Sequence, residues 1–492
     1  MLRWYPEISI ENIKFPHYPK HGIAMKKGSP VIIIIVAVAI VAIMSLLPLS
    51  EWSGGQIKNF SLVSDILKEV GIIEGAPSYE TTEDIDPALI QAQAEGEPVD
   101  ILPEKGEPID TIIPEKGEPI DTIISPVKPS RVGELVKIED YTTLGVGLAN
   151  FKAALGEGGL VRVAVVGDSY IEGDIFTQDL RSLLQGEYGG EGVGYVNMHT
   201  NFPGFRRSVK QSGDGWKTFT ANKKIDRKYI DIAEQYSIPT GTAKSLYEGT
   251  SAFPQTKSWS RSRFLFISPE DVTINVKTDD SEWEERNISG SPSVQCLEVG
   301  GPVSKFGIKT SATSLIGFGV WLDGASGISV DCMSSRGFSG ITLTKVNPDL
   351  SREMAEYIDY DLIILEFGIN AMSAKQKDYS IYCSRMVDVI NHVRVCYPEA
   401  DILLMGVGDR GEKVGSQVKS MSTASFMISA QRDAARRAHC LFWDTREAMG
   451  GENAVVEWSG AGFINKDYIH LTHKGGARLA KELFNAIQSD LK

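Results

Sequence analysis

The apolar positions of this chain follow three different patterns. Residues 31–49, VIIIIVAVAIVAIMSLLPL, form one apolar run without a charge. As a helix this run is about 29 Å long, the thickness of a bilayer core, so one membrane-spanning helix is expected over residues 29–50. Arg3, Lys14, Lys20, Lys26 and Lys27 outnumber Glu7 and Glu11 ahead of it. That balance leaves residues 1–28 in the cytoplasm and carries the rest across the inner membrane to the periplasm. The long charged leader and the lack of a small-x-small cleavage pattern favour an anchor over a removed signal.

Over residues 51–130 the hydrophobic period disappears. KGEPIDTII recurs at an interval of 11 residues, and prolines and acids punctuate the whole stretch. Such a composition cannot bury a core and predicts an extended, solvated tether.

From about residue 131 the periodicity returns and alternates in kind. VRVAVVGDSYIEGD (161–174) begins as a buried strand and breaks into Gly167, Asp168 and Ser169. In the following DIFTQDLRSLLQGEY, Phe176, Leu180, Leu183 and Leu184 sit at i, i+4, i+7 and i+8, the stripe of an amphipathic helix. Residues 199–334 instead show short runs rich in Thr, Ser, Val and aromatic residues, separated by turn formers. They predict a β-rich insertion of sandwich type. Strands then alternate with helices again, at 360–368, 400–408 and LFWDT, before a last helix from about His473. The expected fold class is α/β, with a mostly parallel sheet split into parts 131–198 and 335–492 around the insertion.

The charge changes this picture in one respect. A formal net charge of -14 over 492 residues argues against a nucleic-acid partner, whose phosphates require clustered Lys and Arg. The five cysteines include no C-x-x-C pair and define no metal site. A bridge between Cys296 and Cys332 is permitted outside the cytoplasm, as are unpaired buried thiols.

Open α/β sheets carry their sites at the carboxyl ends of strands. Ser169 follows the first strand, Asn370 follows IILEFGIN, and NKDYIHLTHKGG places Asp467 and His470 before the last helix. A serine attacks only when a base takes its proton, imidazole suits that work near neutral pH, and a carboxylate fixes its tautomer. An acyl-transfer oxyanion also needs donors, which an amide such as that of Asn370 and backbone N–H groups supply. Grouping Asp467, His470 and His473 as metal ligands is disfavoured, because no further ligand cluster accompanies them. GGEGVG (189–194) follows a helix rather than a strand and reads as a turn, not a phosphate loop. Trp216, Trp259, Trp283 and Trp321 of the insertion suit either a β core or stacking on sugar rings.

Together, G-D-S (167–169), G-x-N (368–370) and D-x-x-H (467–470), with Gly337 in SSRGFSG, resemble the motif blocks of the SGNH, or GDSL-like, hydrolases. Tyr170 stands where a leucine commonly follows the serine. The resemblance implies a flavodoxin-like parallel sheet, with Ser169 as nucleophile, His470 as base and Asp467 as its orienter, and with no cofactor and no metal. It also implies an oxyanion hole from the N–H groups of Ser169 and Gly337 and the Asn370 amide. Within that superfamily the chain is most similar to periplasmic peptidoglycan or polysaccharide O-acetylesterases and acetyltransferases, whose insertion resembles a carbohydrate-binding module. The implied partner is an acetylated glycan, and either water or a sugar hydroxyl can accept the acyl group. A non-catalytic, anchored carbohydrate-binding protein on the same fold is the remaining alternative.

Overall fold

The computed structural model describes residues 134–492, except 203, 224 and 416. The cytoplasmic segment, membrane helix and tether expected over 1–130 lie outside the described residues, among which no helix is long and apolar enough to cross a membrane.

The chain enters through β1 (Glu139–Asp140), α1 (Ala149–Glu157), β2 (Leu160–Gly167) and α2 (Thr177–Tyr188). A series of antiparallel strands follows: β3 (Gly192–Val196), β4 (Val209–Thr220), β5 (Gln235–Gly249), β6 (Trp259–Ser268), β7 (Val272–Thr278), β8 (Glu284–Ile288), β9 (Ser291–Val303), β10 (Lys305–Thr310) and β11 (Ile316–Asp323). The α/β pattern resumes with β12 (Gly327–Ser334), α3 (Pro348–Ala355), β13 (Leu362–Glu366), α4 (Ser380–Cys396) and β14 (Asp401–Met405). A hairpin of β15 (Gly411–Val414) and β16 (Gln417–Ser420) precedes α5 (Ala424–Arg437), β17 (Leu441–Trp443), α6 (Thr445–Met449), α7 (Ala454–Gly460) and α8 (His473–Asp490).

The central sheet has the order β1-β17-β14-β13-β2-β12, with all neighbours parallel except β1. Counted along the chain, its five parallel strands run 2-1-3-4-5, the flavodoxin-like order that the resemblance implies. Side chains alternate across each strand, and two cores divide them. Ala164, Val166, Ile363 and Leu365 join the core beneath α4 and α5, whereas Val163, Val165, Leu362 and Ile364 join the core beneath α2 and α8. Burial on both faces explains why these strands read as continuous apolar runs.

One expectation about the insertion changes. Its strands β3–β11 are hydrogen-bonded into one nine-stranded sheet, whose halves β4-β5-β10-β7-β8 and β3-β11-β6-β9 join at the single pair Ser237–Gly317 and share a core to which Phe264, Ile274 and Ile308 contribute. Its limits, however, move. Gly192–Val196, expected in the first α/β part, pairs with β11 in the insertion, and Gly327–Ser334, expected in the insertion, pairs in parallel with β2. Short apolar strands look alike in either setting; the partner strand decides, and sequence spacing does not report it.

A buried charge network fastens the two parts together. Arg162 of β2 pairs with Asp323 at 2.7 Å and Asp331 at 3.5 Å, and Arg263 of β6 reaches Asp323 at 2.9 Å. Asp331 also accepts from the Trp321 indole (2.8 Å), the Tyr360 hydroxyl (2.9 Å) and the Tyr195 N–H (3.0 Å). Trp216, Trp259 and Trp321 are therefore core residues, while Trp283 is half-buried beneath Lys309. All five cysteines are free, so Cys296 and Cys332 are not bridged.

Candidate active site

The order of the parallel strands reverses between β2 and β13, and such a switch point opens a crevice at the strand ends. Gly167 ends β2 opposite Glu366 of β13. A Cβ on Gly167 would lie 2.6 Å from the Glu366 carbonyl oxygen, so only glycine lets the strands meet here at this spacing.

Ser169 emerges two residues later, buried, with its Oγ 3.0 Å from His470 Nε2. His470 Nδ1 lies 2.6 Å from Asp467 Oδ2. The other Asp467 oxygen accepts the N–H groups of Ile469 (2.9 Å) and His470 (3.1 Å), a local turn that fixes the carboxylate against its own histidine. Tyr468 completes that turn with φ +61. Burial alone would raise the Asp467 carboxyl, but the hydrogen bond and charge of His470 and the two backbone donors outweigh it and hold it below its ordinary value. His473 stands apart from this set, on Gln178 Nε2 at 3.0 Å, and no group of metal-binding side chains occurs among the described residues.

The Gly337 turn lies beside Ser169, tied to β2 by the Ser335 N–H on the Gly167 carbonyl at 2.8 Å. Gly337 has φ +79, a conformation that suits glycine. Neither its N–H nor that of Ser169 meets an acceptor among the described residues. Asn370 behaves differently from the sequence expectation. Its Nδ2 donates to Asp168 Oδ2 at 2.8 Å and to the Phe338 carbonyl at 2.9 Å, so both amide hydrogens are engaged. It joins the nucleophile turn to the Gly337 turn.

Four residues of the site were not assigned a role from the sequence. Asp168 is fully buried and accepts from the Tyr170 N–H at 2.9 Å as well as from Asn370. Glu366 is buried beside it, with Oε2 lacking a partner. Burial pushes the Asp168 carboxyl up to about 7, against the pull of its donors and His470. Burial and then the Asp168 charge push Glu366 well above the carboxylate range. Asp168 accepts more donors than Glu366, so the pair favours the charge on Asp168 and the proton on Glu366. Glu172 pairs with Arg336 at 2.7 Å, a second link between the two turns. Arg410, after β14, donates to the Ile369 carbonyl at 2.8 Å and supports the Asn370 segment. Each of these residues follows or precedes a strand end, but nothing in its spacing marks it.

The strand order, the motif positions and the hydrogen-bonded Ser-His-Asp series define an α/β protein with the SGNH-like hydrolase fold. No protein-family model and no curated protein matches the chain. Among solved structures it is similar to a peptidoglycan O-acetylesterase captured in action at 5 min, with a TM-score of 0.59 and 21% identity over 72% of this chain and 99% of that one. A family two carbohydrate esterase from Cellvibrio japonicus matches at TM-score 0.26 and 11% identity, over 57% and 99% of the two chains. An acetyl xylan esterase matches at TM-score 0.25 and 17% identity, over 32% and 81%. The first of these carries the fold assignment; the other two add no weight to it.

Proposed function

We propose that this protein is a serine esterase that removes O-acetyl groups from peptidoglycan or another envelope polysaccharide through an acyl-enzyme. The observation that carries the reading is the continuous series Asp467, His470, Ser169, at 2.6 and 3.0 Å. Ser169 Oγ attacks the ester carbonyl while His470 Nε2 takes its proton. The C–O bond to the sugar then breaks, and the proton passes from His470 to the departing sugar hydroxyl. A water attacks the acetyl-serine by the same route in reverse, giving acetate and free Ser169. Asp467, held ionised, keeps Nδ1 protonated and offsets the charge on the imidazolium.

The N–H groups of Ser169 and Gly337 are the donors for the oxyanion. Asn370 supports that hole by holding Phe338, and it donates to the oxyanion only by exchanging one of its two present acceptors for it. The apolar run at 31–49, with its basic leader, supports an anchor in the inner membrane and a periplasmic position for the site. The full chain is expected to release acetate from para-nitrophenyl acetate and from O-acetylated peptidoglycan, with Ser169→Ala releasing none. A wild-type rate no higher than that variant's overturns the reading.

A further inference from the structure

A cavity of about 140 Å3 opens beside the Ser169 turn, where the turn meets the beginning of the insertion. Glu172 and Gly173 form one wall, Ser334 ahead of Gly337 forms another, and the insertion with the segment leading into β4 closes the rest. The cavity therefore borders both turns of the candidate active site, at the place where the Glu172–Arg336 pair links them.

Its lining has a specific chemistry. Phe205 lies directly on the nucleophile turn, since a Cβ on Gly173 would come within 2.6 Å of its ring. Phe202 lies beneath the Arg336 guanidinium at 4.6 Å. Both rings are part-exposed, as are Asn197 and Gln235. Asn197 and Gln235 also line the cavity, and neither side-chain amide makes a hydrogen bond among the described residues. Each offers one acceptor and two donors in a plane.

The charges around the cavity are all matched. Arg206 donates to Asp174, Ser208 and the carbonyls of Tyr195 and Val193, at 2.7 to 3.1 Å. Asp174 is held by Arg181 and Arg206, and Glu172 by Arg336. No charge is left to receive a carboxylate or an ammonium group. Open amides beside aromatic rings, with the charges neutralised, fit a ligand rich in hydroxyls, carrying an apolar C–H face and no net charge.

We propose that this cavity is a subsite for a neutral sugar residue of the glycan, next to the acetylated residue presented to Ser169. The assignment rests on the polysaccharide esterase reading above and goes beyond it: the enzyme recognises the sugar chain through Asn197 and Gln235, not through a charged peptide or acid substituent.

Two measurements on the full chain test it. The first is the ratio of kcat/KM on O-acetylated chitotetraose to that on para-nitrophenyl acetate, which divides out the amount of folded enzyme. Asn197→Ala and Gln235→Ala are each expected to lower this ratio about three- to tenfold through KM, the loss of about one neutral hydrogen bond. The second is equilibrium binding of chitotetraose to the Ser169→Ala chain, which needs no turnover and is expected to weaken by a similar factor. A ratio and an affinity that neither substitution changes overturn the subsite, even where both esters are cleaved. Failure to cleave either ester overturns the esterase reading, while the binding measurement still decides the subsite. Muramyl glycan fragments with and without stem peptides are expected to bind alike; tighter binding of the peptide-bearing form overturns the neutral-sugar assignment.

Discussion

Asn370 Nδ2 donates to Asp168 Oδ2 at 2.8 Å, across the two strand ends that flank the switch point of the sheet. The same amide group holds the Phe338 carbonyl at 2.9 Å, so one side chain joins three of the motif blocks. Asn370→Ala leaves Asp168 with one donor and Phe338 with none. It is expected to lower kcat roughly tenfold or more by loosening the Gly337 turn, and to destabilise the fold by about 1–3 kcal/mol. Asp168→Ala is expected to lower kcat as well, and the double variant to lose less than the product of the two factors. A double-mutant cycle on kcat/KM measures this; independent effects would show that the bond does not couple the turns.

Asp467→Asn is expected to reduce kcat by roughly 10³- to 10⁴-fold with little change in KM. The amide places a donor where His470 Nδ1–H needs an acceptor, and the tautomer it favours cannot take the Ser169 proton. Steady-state kinetics on an aryl acetate, with the melting temperature as a control for folding, reads the effect.

Buried carboxyls in the segment that packs on residues 343–347 set a pH dependence of stability. Burial pushes Asp231 up to about 8 and Glu234 up to about 7. Among the described residues Asp231 Oδ2 lacks a hydrogen-bond partner, and the Thr342 and Ser335 hydroxyls and the Lys345 charge that face Glu234 do not offset its burial. Both groups hold a proton more tightly in the folded chain than in the unfolded one, where their values are about 3.9 and 4.3. Their contribution is therefore fully present below about pH 4 and is lost as pH rises towards about 8. Asp231→Asn and Glu234→Gln are expected to flatten the fall of melting temperature over that range. An unchanged slope contradicts the assignment.

The Arg162 network is expected to dominate the coupling of the insertion to the sheet. Arg162→Met leaves Asp331 without its guanidinium in a dry interior, and is expected to cost about 3–5 kcal/mol in urea unfolding. A loss below about 1 kcal/mol, the size of a surface pair, would show that the network is solvated.

The alternation of strands and helices and three of the motif blocks were legible in the sequence because these rest on local signals. Alternating valines, a glycine-marked strand end and an Asp-x-x-His turn each act within a few residues. Ser169, His470 and Asp467 are hydrogen-bonded in series, and the Gly337 turn is tied to the end of β2. The insertion limits were not legible, because β3 and β12 are defined by partners more than 100 residues away. Asp168, Glu172, Glu366 and Arg410 were missed for a related reason: an acid or arginine near a turn looks solvated until the fold buries it. The engagement of the Asn370 amide by two acceptors is likewise a fact of three dimensions.

The most direct test of the central claim is the mass of the peptide containing Ser169, taken after the full chain is mixed with para-nitrophenyl acetate and quenched within one turnover. A single acetyl group on Ser169, accumulating before acetate appears and absent from Ser169→Ala, is the expected result. Acetate release at an undiminished rate by Ser169→Ala, or an acetyl group found on another residue only, would contradict it.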